Sequence, residues 1–490
     1  MHALLPLPVF LPMLAGILLP VFKRGKSRNW LKYYLFSVIF LNSFMVFAIL
    51  FANGASLRTM ELNHILNFYL QVDLLACFFL ILVTFLWANI AIYAISYIPE
   101  DKRETLFFSC LLFVYGAILG LGLSANLFTL FLFYELVTLA SYPLIVYFGT
   151  KEAYKAGALY LIYAFFGAGL IFFSFSVIGY FGQTTDFLPG GVFDTTVLSQ
   201  NQHVLLPVFL VGFLGFSVKA GMLPLHNWLP IAHPVAPAPA SALLSGIVSK
   251  VALFAILRFT FFLFGADFLR DSWVQTVLLT LSLLTVFVGS MLAFTERLLK
   301  KRLAFSSVSQ LSYIIFGILL LHPIAFAGAL LHMVAHGIAK VNLFLTAGTI
   351  EHHTKKRYVQ EMRGLARLMP IPFLCFMFVS VSLIGVPPTS GFLSKMQLLL
   401  GGLASTRPIF GIFGTAILLI SALLTAGYLI PIVSSAFFPG AKFQAEKLVA
   451  PSQKKLMTVP LILLAVFSLL FGMFPNILLR FTEEISKLIL

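Results

Sequence analysis

Residues 274–294, VQTVLLTLSLLTVFVGSMLAF, run for about one bilayer thickness without a charged side chain. Stretches of this kind recur along almost the whole chain. A helix needs about 20 mainly apolar residues to cross the hydrocarbon core. Fourteen such stretches lie near 1–22, 30–52, 69–98, 106–123, 125–148, 156–181, 203–223, 240–264, 274–294, 303–321, 324–347, 371–402, 409–438 and 458–479. Only 10% of the residues are charged and 60% are hydrophobic, against roughly a quarter charged in a soluble domain. The sequence therefore predicts an all-α polytopic membrane protein, because within lipid each segment must satisfy its own backbone hydrogen bonds. The longest polar stretches, 182–202 and 351–370, are too short for a soluble domain, so 1–490 reads as one membrane domain.

A net charge of +15 could suggest nucleic-acid binding, but the placement of the basic residues argues otherwise. In a fourteen-span arrangement, segments 23–32, 102–103, 151–155, 297–302, 355–367 and 442–455 share one side and hold 22 of the 32 Lys and Arg. The opposite side holds Arg58, Arg270, Arg407, Arg480 and Lys487. This asymmetry is the positive-inside pattern and places both termini outside the cytoplasm of a cell membrane. Five basic residues remain, all within spans: Lys219, Lys250, Arg258, Lys340 and Lys395.

Other chemistries lack their residues. Cys77, Cys110 and Cys375 are scattered, with no C-x-x-C pair and no His at ligand spacing, so no metal, iron–sulfur cluster or disulfide framework is expected. Gly25-Lys26-Ser27 resembles the end of a phosphate loop, yet Pro20 stands where that loop needs a glycine. No cofactor is expected in this chain. The first apolar stretch has no basic residue ahead of it and reads as a retained helix rather than a cleaved signal.

Two breaks organise the interior. KAGMLPLHNWLP, 219–230, is matched about 165 residues later by GVPPTSGFLSK, 385–395, and paired interrupted helices point to a midplane ion site. Five spans separate the two, an odd offset that reverses orientation. This predicts inverted five-helix repeats at 106–264 and 274–438, with the seventh and twelfth helices broken. Pro224, Pro387 and Pro388 donate no backbone hydrogen bond, so the breaks free carbonyls at a depth where only protein or water can accept them.

Glu135 lies within LFYELVTLASYPLIVYFG, 132–149, an otherwise apolar run. A charge there costs roughly 2.5 kcal/mol or more, so something must compensate it or use it. Lys219, Lys250, His332, His336, Lys340 and Lys395 pose the same question. One buried Lys can snorkel and one buried His commonly makes an interhelical hydrogen bond. Seven such residues spread over both halves suit a proton relay better. His332, His336 and Lys340 recur every fourth residue, which stacks them on one helix face over about 12 Å. A Glu135/Lys219 pair would let a proton at one site alter the charge felt by the other. Arg258 is expected to be structural. His226, seven residues past Lys219, is a candidate for a cavity mouth, and His233 flanks a proline-dense link between spans.

At these residues the chain resembles a known family: the antiporter-like membrane subunits shared by respiratory complex I, energy-converting membrane-bound hydrogenases and Mrp-type cation/proton antiporters. FYELVTLASYPLIVY, VKAGMLPLHNWLPIAHPVAPAPASALLSGIVSK, RLAFSSVSQLSYIIFGI, HMVAHGIAKVNLFLTAG and GVPPTSGFLSK carry the likeness, from the fourth span through the thirteenth. WLPIAHPVAPAPASALLSGI and AHGIAKVNLFLTAG look most similar to the hydrogenase-linked and Mrp D-type members. Departures are Asn342, a polar group near Lys340, and Ser249, a hydroxyl before Lys250; both are expected to affect hydration. The chain stops after the fourteenth span, which implies that the long lateral helix of the largest complex I member is absent.

The resemblance implies a non-redox, ion-translocating subunit whose partners are other membrane subunits, further antiporter-like ones included. It implies that Glu135 and Lys219 form the central pair, that Lys250 joins the two half-channels, and that His332, His336, Lys340 and Lys395 complete the path. H+/Na+ antiport, the branch of the family and the redox partners of the parent complex stay open. So do two rivals: a stand-alone secondary transporter of an organic solute, and a structural subunit that conducts nothing.

Overall fold

The computed structural model describes residues 4–51, 54–59, 66–182, 184–440 and 455–490. Lys442, Lys447 and Lys454 of the basic loops, and the ends of the first two apolar stretches, lie outside these. In chain order the main elements are α1 (Leu7–Phe22), α2 (Arg28–Leu50), β1 (Ser56–Thr59), β2 (Phe68–Gln71), α3 (Leu74–Tyr97), α4 (Glu104–Leu123), α5 (Leu127–Ile145), α6 (Lys151–Phe181), α7 (Gln202–Ala220), α8 (Trp228–Val235) and α9 (Ala238–Phe264). They continue with α10 (Trp273–Thr295), α11 (Leu299–Leu319), α12 (Pro323–Thr354), α13 (Pro370–Ile384), α14 (Ser390–Leu403), α15 (Pro408–Phe437), α16 (Lys455–Met473) and α17 (Asn476–Ile489).

Among the described residues, twelve helices are long and apolar enough to cross a membrane, so the protein is a multi-pass membrane protein. α1 and α13 are shorter apolar helices. Polar side chains define many of the starts. Ser27, Asp73, Asn126, Thr150 and Ser272 each accept a hydrogen bond from the backbone N–H three residues on, satisfying an orphan donor of the first turn.

Each predicted apolar stretch corresponds to a helix or a broken helix, with three differences. The stretch at 371–402 divides at 385–389 into α13 and α14, where the break of the twelfth helix was expected. The stretch at 69–98 begins with strand β2, which pairs antiparallel with β1. The last one, 458–479, divides at Pro475 into α16 and α17, since proline breaks the backbone ladder and disfavours helix at the residue before it. Finally, α9 is π-helical over Leu244–Val248 and again over Arg258–Phe264.

Burial divides the bundle. The apolar windows of α9 and α11 are wholly enclosed and that of α12 nearly so, whereas most of the windows of α2, α6 and α15 face outward. α12 is the hub, packing against α3, α9, α11, α13, α14, α16 and α17. The helices carrying Lys250, His332, His336 and Lys340 are therefore those most withdrawn from lipid. Two ionic clamps sit elsewhere. Arg258 makes a bidentate pair with Asp73 at 2.5 and 2.8 Å and lies over the Phe262 ring, tying α9 to the start of α3. Glu104, buried at the start of α4, pairs with Lys23 and lies 3.6 Å from Arg28.

Candidate functional site

α7 and α13 end alike. Gly221 and Gly385 cap them in the left-handed conformation, with φ of 71° and 95°, and a cis X-Pro bond follows three residues later at Pro224 and at Pro388. Only glycine adopts that φ without strain from a Cβ. The two breaks satisfy their freed carbonyls differently. At the second, Lys395 reaches back to donate to Leu383 O at 2.8 Å and Ile384 O at 3.1 Å. At the first, Trp228 Nε1 donates to Val218 O at 2.8 Å, which leaves Lys219 free for another partner.

That partner is in α5. Lys219 Nζ donates to Tyr134 O at 2.7 Å and sits 3.2 Å above the centre of the Tyr134 ring, 4.0 Å from Glu135 Oε1. The expected Glu135/Lys219 pair is thus present. Glu135 Oε1 has no hydrogen-bond partner, while its side chain is 20% exposed, which places it at the rim of the buried set.

The second cluster centres on α12. Lys250 Nζ donates to Ser245 O at 2.7 Å and meets His336 Nδ1 at the same distance. Lys250 lies two residues past the first π-helical turn, whose extra residue re-aims the side chains beyond it. An ammonium donating to Nδ1 requires the imidazole proton to be on Nε2, so this contact holds one transferable proton between two bases. The His332 and His336 rings are 6.2 Å apart. His332 Nε2 meets Gln310 Oε1 at 3.1 Å, and its Nδ1 meets Ser394 Oγ at 2.9 Å.

Ser394 has one hydroxyl proton and two acceptors, because Gly391 O also lies 2.9 Å away. That one proton can be donated to His332 Nδ1 or to Gly391 O, not to both. The next residue, Lys395, lies 5.0 Å from the centre of the Tyr313 ring, beside a cavity of about 170 Å³ that both residues line. The Tyr313 ring in turn stacks on His332 at 5.4 Å. Each half thus sets a lysine against a tyrosine: Lys219 on Tyr134, Lys395 on Tyr313.

The remaining sequence candidates fall around these clusters. Lys340 is fully buried on α12 and donates to Leu303 O at 2.9 Å. His226 lies in the first break, almost buried, with Nδ1 unpartnered and its ring 6.5 Å from that of Phe305. Asn342 points away from the cluster and donates to Leu461 O at 2.7 Å, so it ties α12 to α16. No hydrogen bond among the described residues joins Lys219 to Lys250. Sequence reading assigned no role to Tyr134, Tyr313, Gln310 or Ser394. Three of these are polar residues in α11 and α14 that look like ordinary interhelical contacts until the fold brings His332 beside them.

A family model described as NADH:quinone oxidoreductase/Mrp antiporter, TM, matches residues 124–425, and one described as NADH-Ubiquinone oxidoreductase (complex I), chain 5 N-terminus, matches 61–108. The chain is 32% identical over 424 residues to NADH-quinone oxidoreductase subunit N of Desulforudis audaxviator, a match covering 83% of this chain and 82% of that one. It is 27% identical over 498 residues to a Na(+)/H(+) antiporter subunit of Alkalihalophilus pseudofirmus, covering 100% and 98%. A chain in the structure of the Mrp complex from Dietzia sp. DQ12-45-1b has the same fold, with a TM-score of 0.87 at 22% identity over 100% of this chain and 97% of that one. The protein belongs to the NADH:quinone oxidoreductase/Mrp antiporter family of membrane subunits.

Proposed function

We propose that this chain is a proton-translocating subunit of a multisubunit energy-converting complex in the cell membrane, and that it works beside other membrane subunits, further antiporter-like ones among them. Protons move along Glu135, Lys219, Lys250, His336, His332 and Lys395, with Lys340 supplying a further charge beside the path. The observation that carries this reading is the Lys250–His336 contact at 2.7 Å, two bases sharing one proton inside a fully buried helix pair. A scaffold has no use for that arrangement, since desolvating a lysine costs stability and an apolar pair would pack as well.

Residues 106–264 and 274–438 act as inverted halves, and the paired glycine caps and lysine–tyrosine contacts support this. Both termini lie outside the cytoplasm, as the distribution of Lys and Arg indicates. Coupling is electrostatic: loading a proton at one site changes the charge facing the next, so occupancy passes along the row. Glu135→Gln or Lys219→Ala abolishes proton flux in the reconstituted complex while the complex still assembles. Wild-type flux in both variants refutes these roles.

A further inference from the structure

Behind the row of titratable groups, α12 lines a cavity. Val334 and Ile338 lie two residues after His332 and two before Lys340, which puts them on the opposite side of the helix. They floor an apolar cavity of about 490 Å³ whose walls come from α3, α16 and α17. At one end Phe85 of α3 meets Phe467 of α16 with ring centres 4.8 Å apart, and at the other Phe78 meets Phe481 of α17 at 6.2 Å. Every lining residue is hydrophobic. Leu470, Phe474 and Ile477 on the rim are 39%, 65% and 84% exposed, so the cavity opens outward.

Size and charge identify the occupant. Phe78 to Phe85 spans about 10 Å at 1.5 Å per residue, which gives the cavity a mean cross-section of about 50 Å², whereas a helix 10–12 Å across needs roughly 80–110 Å². A partner helix is therefore too wide, and water finds no polar group to hold it. Extended hydrocarbon fits. At the mouth, Ser486 Oγ donates to Pro323 O at 3.0 Å, which fixes α17 at the end of α12 away from Lys355, Lys356 and Arg357. Ile477, Phe481, Ile485 and Leu488 share one side of α17 and its four charged residues the other, the pattern of a helix lying in the membrane interface. Arg480 and Glu484, both exposed and one turn apart, border the apolar side next to Ile477.

We propose that this cavity is a phospholipid site. An acyl chain lies against Val334 and Ile338, the phosphate meets the Arg480 guanidinium, and the ammonium of a zwitterionic amine headgroup meets Glu484. The chain gives the reverse side of α12 the van der Waals contacts that the open cavity withholds, so bound lipid steadies the helix that carries His332, His336 and Lys340. Lipid capture needs no ion flux, and it holds whether or not protons follow the path above.

The test is photo-crosslinking of the whole complex in vesicles of phosphatidylethanolamine and phosphatidylglycerol, with a diazirine midway along one chain of either lipid and the adducts mapped by peptide mass spectrometry. Adducts around Phe85 and Phe467 are expected, several-fold more from the ethanolamine lipid than from the glycerol lipid. Arg480→Gln lowers them about fivefold. Leu470→Trp fills the cavity from its exposed rim and removes them. Adducts around Phe172, on the outward side of α6, stay constant in both variants and report a folded, inserted protein. Cavity adducts no denser than those on α6, or unchanged in both variants, overturn the site. So do equal yields from the two lipids, and so does labelling of α6 alone with the cavity shielded by a partner subunit.

Discussion

At the scale of single residues, buried polarity here divides into groups that share protons and groups that only hold position. On the proposed path the proton in the Lys250–His336 contact is one that moves, so Lys250→Ala is expected to stop proton flux in the reconstituted complex. Asn342, two residues from Lys340, spends its amide on Leu461 O. Asn342→Ala therefore leaves flux unchanged in a vesicle assay and weakens only the α12–α16 contact, a contrast that sequence proximity would not predict. Arg258 is of the second kind. Its bidentate pair with Asp73 locks α9 onto α3, so Arg258→Ala costs about 2–3 kcal/mol, less than a fully buried pair because the Asp73 side chain is 32% exposed. A lowered melting temperature with unchanged flux per assembled complex checks this. Arg258→Lys recovers only part of the loss, since an ammonium cannot make the fork-shaped pair.

At the scale of elements, the broken helices set the site. Gly221 and Gly385 hold φ values that an L side chain adopts only with strain, and an added Cβ would overlap Leu229 Cδ1 at the first and lie 2.9 Å from Lys395 Cδ at the second. Gly385→Ala thus adds about 1–2 kcal/mol of backbone strain and crowds the Lys395 stem. Reduced flux with Lys395 still in the chain is the expected outcome, read from transport per assembled complex. These breaks were legible in the sequence because proline and glycine act locally. The spacing of His332, His336 and Lys340 was legible too, since helical periodicity alone puts them on one face. The π-helical turns of α9 were not, because ALLSGIVSK carries no local signal for an extra residue per turn. Nor was the meeting of Ser290, Ser309 and Ser421, which come from three helices and are brought together only by packing. The division at Pro475 was missed because apolar residues continue on both sides of it.

At the scale of the whole molecule, enclosed and outward-facing helices separate as a conduit requires. α9 and α12, which carry Lys250, His332, His336 and Lys340, are shielded together with α11, while α2, α6 and α15 meet the surroundings. The orientation proposed from the basic loops predicts that Lys102→Cys reacts with a membrane-impermeant thiol reagent only from the cytoplasmic side and Ser199→Cys only from the outside; both positions are exposed. Labelling from the reverse sides would invert the topology. The proposed path is least connected between Lys219 and Lys250, where no hydrogen bond among the described residues links the Glu135/Lys219 pair to the Lys250–His336 pair. The most direct test is a density map of the assembled complex at a resolution that shows water. A conducting path requires ordered water molecules bridging from Lys219 to Lys250, and close-packed apolar side chains filling that gap with no solvent density would rule it out.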